Sequence, residues 1–179
     1  MEKDAALTRT LQLRSRSFPL YHAAVFFAHA GDSWFCLLAL LLIYLFADSE
    51  WKLLAGTMGL VVFVLALLVV FFKLLFKRRR PPGDWGNLYR STDPHSFPSG
   101  HAARAFLLAT LAISLGPSWL AVLLWIWAPL VSLSRIALSV HYVSDVAAGF
   151  VLGILTAVIF LLLLPGFEPA LHTLLLNLF

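Results

Sequence analysis

The sequence predicts an all-α membrane protein, a bundle of about five transmembrane spans (six if a further crossing precedes residue 33) behind an amphipathic N-terminal segment. Composition is the first reason: 61% of the 179 residues are hydrophobic and 12% charged, outside the range of soluble globular domains. The second is Leu53 to Phe72, twenty residues without a charge, which as a helix would measure about 30 Å, the thickness of a hydrocarbon core. The third is punctuation. Apolar runs are interrupted at Gly31-Asp32, Gly116-Pro117 and Pro165-Gly166, residue types that start and stop helices.

By length the chain is one domain, residues 1–179, with an interfacial segment 1–31, a transmembrane core 33–164 and a short tail 167–179. The first seventeen residues hold Lys3, Arg9, Arg14 and Arg16 beside scattered Leu. They lack the apolar core of a secretory signal and read as an amphipathic segment on the membrane surface. The first span, about Ser33 to Ala47, is short at roughly 22 Å. Either it begins earlier with Asp32 turned toward protein, or Phe18 to Ala30 forms a separate interfacial or re-entrant helix; the second is the preferred reading. Asp48 to Lys52 makes a tight turn before a second span, Leu53 to about Phe76. A hydrophilic loop, Lys77 to Ser99, leads to a third span, about His101 to Leu115. The fourth, Trp119 to about Leu138, is expected to kink at Pro129, and the fifth runs from about Tyr142 to Leu164. Gly149 and Gly153, four residues apart on that fifth span, read as a stripe that lets another helix approach closely. Cys36, the single cysteine, excludes an intramolecular disulfide and reads as a small buried hydrophobe.

Three polar clusters stand out against this background. In Ser134 to Asp145 an Arg, a His and an Asp sit in otherwise apolar sequence, where charge is costly and needs a reason. If 141–145 is helical, His141 and Asp145 face the same way, so the carboxylate can hold one imidazole nitrogen and leave the other basic. The alternative is a polar pair that fixes helix packing. Pro98-Ser99-Gly100-His101 opens the third span, and a helix N-terminus is a ready anion site. Lys73 stands two turns before Arg80-Pro81. With five spans, the loop after span two and the junction between spans four and five fall on one side of the membrane, so all three clusters meet at one face.

In order, these stretches match Lys-x6-Arg-Pro, Pro-Ser-Gly-His and Ser-Arg-x5-His-x3-Asp, and the chain resembles the type-2 phosphatidic acid phosphatase superfamily over about Lys73 to Asp145. The resemblance implies an all-helical, metal-independent phosphatase with no cofactor that works through a phosphohistidine intermediate. Carried over position by position, His141 resembles the nucleophile, Asp145 its orienting partner, and His101 the acid that protonates the leaving group and then serves as base for water. Lys73, Arg80, Ser99, Gly100 and Arg135 resemble the phosphate cradle, with arginines suited to two-donor contacts. Lys77, Arg78 and Arg79 read instead as a basic cap on the second span, in contact with anionic lipid. Arg104 has three candidate partners, Asp93, Asp145 or a lipid phosphate. His22, His29, His95 and His172 read as non-catalytic, and Trp85 and Tyr89 as interfacial anchors.

A site among lipid head groups suits a lipid phosphate or polyprenyl diphosphate: phosphatidic acid, phosphatidylglycerol phosphate, undecaprenyl diphosphate or a glycolipid phosphate. A lipid phosphotransferase could use the same residues, and a non-enzymatic anion-binding membrane protein is the remaining alternative. The expected partners are the bilayer and its lipid phosphate, with no nucleic acid; oligomeric state stays open. The resemblance points to a bacterial cell membrane. Of the thirteen Lys and Arg, only Lys52 falls on the face opposite the site, which points the site to the cytoplasm. Related enzymes that process lipid carriers commonly face outward, so both orientations stay open.

Overall fold

A computed structural model describes residues 2–13, 19–83 and 91–176. Arg14, Arg16, Trp85 and Tyr89 lie outside the described residues. Within them the chain is helical, in the order α1 (Glu2–Leu11), α2 (Pro19–Ala30), α3 (Ser33–Phe46), α4 (Ser49–Phe76), α5 (Gly100–Leu115), α6 (Ser118–Ala137), α7 (Val143–Leu163) and α8 (Glu168–Leu176), with a 3₁₀ turn at Leu164–Gly166. One isolated antiparallel bridge joins Arg79 to His95.

Three of these helices are long and apolar enough to cross a membrane, namely Ser49–Phe76, Ser118–Ala137 and the stretch Val143–Gly166. The pair α2 and α3 meets the same criterion together, bent by 54° at the break between them. Large apolar side chains such as Trp34, Phe46, Phe63 and Leu162 lie exposed on these helices, as a lipid-facing surface requires. The chain is therefore an integral membrane protein.

Helix α5 is shorter, 16 residues, and sits in the middle of the bundle. Every residue from Ala102 to Ala112 is buried, because α4, α6 and α7 surround it. Its alanines at 102, 103, 105, 109 and 112 leave room for that crowding. The tightest approach is to α7. A Cβ on Gly149 would stand 2.5 Å from the Ser99 carbonyl oxygen, and one on Gly153 would stand 2.1 Å from that of Ala103. The small-residue stripe read from the sequence is thus the seam that locks α7 to the start of α5, where two of the polar clusters begin.

Other boundaries differ from expectation for local reasons. Residues 48–52 are no tight turn: Asp48 caps α4, its carboxylate accepting the Trp51 amide at 3.1 Å, so the helix starts at Ser49. It ends at Lys77, whose left-handed backbone, φ 46°, returns its amide to the Lys73 carbonyl. Pro129 lies inside α6, which keeps its expected extent around it. The N-terminal segment does more than lie on the surface, since Thr8 of α1 is fully buried and Leu13 donates its amide to the Ala137 carbonyl at 3.0 Å. The tail is also anchored: α8 buries Leu171 and Leu175 against α4, and the Tyr44 hydroxyl donates to the Leu175 carbonyl at 2.7 Å.

Two glycines separate close packing from mere helix propensity. Gly153→Ala should destabilise the protein by about 1–3 kcal/mol through overpacking against backbone. Gly59→Ala, where a Cβ meets nothing within 4 Å, should be neutral or raise stability by up to about 1 kcal/mol. Thermal unfolding in detergent decides this, and equal effects at both sites would exclude a packing role for Gly153.

Candidate active site

The site assembles where four chain segments meet: the end of α4, the start of α5, the α6–α7 connection and the α2–α3 break. Backbone joins two of them directly, since the Ser99 amide donates to the Asp145 carbonyl at 2.9 Å. His141 lies in the α6–α7 connection, outside the spans, and is 1% exposed. Its Nδ1 pairs with the Ser96 carbonyl at 2.7 Å, and Nε2 with Nη1 of Arg80 at 3.2 Å. A guanidinium can only donate and a carbonyl can only accept. The tautomer follows: Nδ1 carries the proton and Nε2 holds the lone pair. Burial is the main reason the His141 imidazole is pushed down from 6.5 to about 3, with Arg80 and Arg135 adding to the effect and Asp145 opposing it. It is neutral at physiological pH, the form a nucleophile needs.

Asp145 does not hold the imidazole as the sequence suggested. His141 precedes the helix, and Tyr142 at the N-cap is extended, so the four-residue spacing is not helical. The Asp145 carboxylate stands 3.7 Å from His141 Nδ1, beyond hydrogen-bond reach. One of its oxygens accepts the Tyr142 amide at 2.8 Å and the other accepts from Arg78 at 2.7 Å. Arg78 therefore is no simple basic cap. It bridges Asp145 and Asp4 of α1, donating to the latter at 2.6 Å, and lies over the Tyr142 ring at 4.1 Å. Asp4 also pairs with Ser144, whose amide it accepts at 3.2 Å, and Thr8 accepts the Val143 amide at 3.2 Å. Helix α1 thus supplies side-chain caps to the exposed amides of α7.

Beside His141 lies a cavity of about 350 Å³ lined by Lys73, Arg80, Gly100, His101, Arg104 and Arg135 on its polar side and by Val62, Leu65, Ala66, Val69 and Val70 of α4 on its apolar side. Arg80 donates to the Val140 carbonyl at 2.9 Å and to the Asp93 backbone and carboxylate at 2.8 and 3.0 Å. Lys73 pairs with the same carboxylate. Ser99 is placed differently: it is fully buried and its hydroxyl oxygen faces the Ala102 amide of its own helix at 3.5 Å, so it shapes the helix start without lining the cavity. A larger apolar cavity of about 730 Å³, bordered by Phe35, Trp51 and Leu124, has no Lys or Arg among its described lining residues. His29 is the one titratable imidazole among those lining residues, so this cavity lacks the cluster of cations that the smaller cavity has.

His101 occupies the first turn of α5 and pairs through Nε2 with Asp32 at 2.7 Å. The other Asp32 oxygen pairs with Nδ1 of His29 at 3.0 Å. Arg104 reaches neither Asp93 nor Asp145; its guanidinium donates to the Gly31 carbonyl at 2.6 Å. Sequence spacing missed four of these participants: Asp4, Asp32, Arg78 and Asp93. Asp32 left a trace there as a carboxylate ahead of an apolar run, Asp93 as a candidate partner of Arg104 and Arg78 as part of a basic cap, but none in the role it takes here.

A family model described as the PAP2 superfamily matches residues 50–168. An Arabidopsis thaliana protein named a probable lipid phosphate phosphatase beta is 37% identical over 132 residues, covering 55% of this chain and 62% of its own length. The chain therefore spans less than two thirds of that relative. The crystal structure of a transmembrane PAP2-type phosphatidylglycerolphosphate phosphatase from Bacillus subtilis superposes with a TM-score of 0.74 at 27% identity, over 94% of this chain and 86% of that one. Aquifex aeolicus LpxE gives 0.67 at 28% identity, over 87% and 93%.

The depressed His141 value makes a prediction with a definite sign. The folded state binds fewer protons than the unfolded chain between about 3 and 6.5, so acidification from 6.5 toward 3 withdraws stability contributed by the neutral ring. Imidazole ¹⁵N resonances of His141 should keep the Nδ1–H pattern down to pH 5. Titration near 6.5 would show that the ring is not held as described.

Proposed function

Because the chain belongs to the PAP2 superfamily, we propose that it is a membrane phosphatase that hydrolyses a lipid phosphate or polyprenyl diphosphate through a phosphohistidine at His141. The observation that carries this reading is the two-sided cavity. One wall presents Lys73, Arg80 and Arg135 beside two histidines, and the other is a run of α4 valine, leucine and alanine. A phosphate on a hydrocarbon chain has both complements. The names of the plant relative and the Bacillus structure, a lipid phosphate and a phosphatidylglycerolphosphate phosphatase, support the same class.

In the reaction, Nε2 of His141 attacks phosphorus while the bond to the leaving oxygen breaks, and that oxygen takes a proton from His101. Water then attacks the phosphohistidine, gives a proton to His101 and releases inorganic phosphate. Arg80, which faces Nε2 before substrate arrives, transfers its contact to a phosphoryl oxygen, and Lys73 and Arg135 neutralise the others. Gly100 leaves the first amides of α5 approachable, and Ser99 sets where that helix begins. Asp145 acts through Tyr142 and Arg78 to fix the loop that carries His141. In this reading α3 to α7 make five crossings, with α2 interfacial beside the site.

Rapid-quench labelling with a radioactive substrate tests the assignment. His141→Ala should abolish turnover and acid-labile label on protein. His101→Ala, given an activated aryl phosphate, should still form the intermediate and accumulate it for want of a base. Asp145→Asn should fall between them. Wild-type label on His141→Ala, or label trapped at residue 101, would reverse the two roles. Since positive charge comes from side chains, excess EDTA should leave phosphate release unchanged. A loss restored by magnesium would remove the metal-free mechanism.

A further inference from the structure

Asp32 lies outside the region 50–168 matched by the family model, yet it holds one of the two histidines. Three features show that the contact is built. As N-cap of α3 it would ordinarily accept one of its own helix's first amides, as Asp48 does at the start of α4. Asp32 makes no such side-chain cap; its oxygens go to His101 and His29. The residue before it leaves no space: a Cβ on Gly31 would stand 2.5 Å from Val131 Cγ1 and 3.3 Å from His101 Cδ2. Finally, Arg104 of α5 pins the Gly31 carbonyl at 2.6 Å, so the helix carrying His101 also holds the break that presents Asp32.

We propose that Asp32 is a positioning residue for proton transfer: its carboxylate holds Nε2–H of His101, so that the proton given to the leaving group and later taken from water moves through Nδ1. This rests on the acid and base role proposed for His101. The carboxylate stabilises the imidazolium before the first step and after the second, and fixes the ring plane in both. The arrangement parallels a catalytic Asp–His pair with the two ring nitrogens exchanged. At the leaving-group step the P–O bond breaks and its electron pair takes the Nδ1 proton. At the hydrolytic step the water O–H proton returns to Nδ1 as the N–P bond to His141 breaks.

The test compares a lipid-like alkyl phosphate with p-nitrophenyl phosphate, whose leaving group needs little acid assistance. Asp32→Asn preserves shape and removes the charge; Asp32→Ser, a good N-cap for α3, is the second variant if the amide does not fold. Turnover of the alkyl phosphate should fall on the order of 10- to 100-fold, the scale of acid catalysis, and that of the aryl phosphate several-fold less. In a His101→Ala background, Asp32→Asn should add no further loss. Imidazole ¹⁵N spectra of His101 should show Nε2 protonated in the wild type and a changed pattern in Asp32→Asn. An equal fall on both substrates, a loss undiminished without His101, or unchanged ¹⁵N resonances would overturn the proposal. A wild-type protein that hydrolyses neither phosphate would instead remove the phosphatase reading, while the ¹⁵N comparison still decides whether Asp32 holds His101.

Discussion

Asp145 has no exposed surface, and an unpaired carboxylate so placed would cost several kcal/mol. The arrangement around it answers that cost and in doing so joins the site. Its side chain takes the Tyr142 amide and the Arg78 guanidinium, and its backbone carbonyl takes the Ser99 amide. The end of α4, the entry to α5 and the entry to α7 are thereby fixed to one residue. Arg78 gives one terminal nitrogen to Asp145, and its other terminal nitrogen donates to Asp4 from α1. The N-terminal helix is drawn onto the bundle for an electrostatic reason, with the Thr8 bond to Val143 as its second fastening.

Charge at the cavity follows the same logic with the sign reversed. Lys73 and Arg80 share the Asp93 carboxylate, which offsets cations that would otherwise repel one another across a few ångströms of poorly screened space. Asp93 belongs to the loop after α4, so the loop is tied back over the site by the residues it neutralises. A second bond to the same loop, from His141 Nδ1–H to the Ser96 carbonyl, sets the tautomer of the ring that carries the proposed chemistry.

What the sequence made legible were features governed by local spacing. The helical class, the long apolar helices at Ser49–Phe76, Ser118–Ala137 and Val143–Gly166 and the Gly149–Gly153 seam follow from composition and from three- and four-residue periods, and the structure has them. The His141–Asp145 geometry was misjudged by one residue of helix: with Tyr142 as N-cap, an acid at the third helical position turns back to the N-cap amide, away from the ring before it. Arg78 was hidden because a basic residue after an apolar span has a sufficient local explanation, while its partners lie 67 and 74 positions away. Asp32 and His101 are 69 positions apart. No periodicity reaches across such distances. The bend at Gly31 was anticipated as a break between helices, but its purpose depends on Val131 and Arg104, which only the packed bundle brings near.

Helix α4 shows how a single face can serve both ends of an amphiphile. Val62, Ala66, Val69 and Lys73 recur at intervals of four, three and four residues, so they share one side of the helix, and all four line the cavity. Val62 lies about 16 Å below Lys73 along the axis, which is roughly half a hydrocarbon core. An apolar chain laid against this face would stay in a medium like the bilayer while its head group met Lys73 at the top. The cavity then need not enclose the tail to bind it. That is consistent with a volume of about 350 Å³, too small for a whole lipid and adequate for a phosphate with the first part of its chain. On the proposed reading, selection at such a site would rest on the charged head and its depth in the membrane, since the α4 wall offers a hydrocarbon chain no polar group to read.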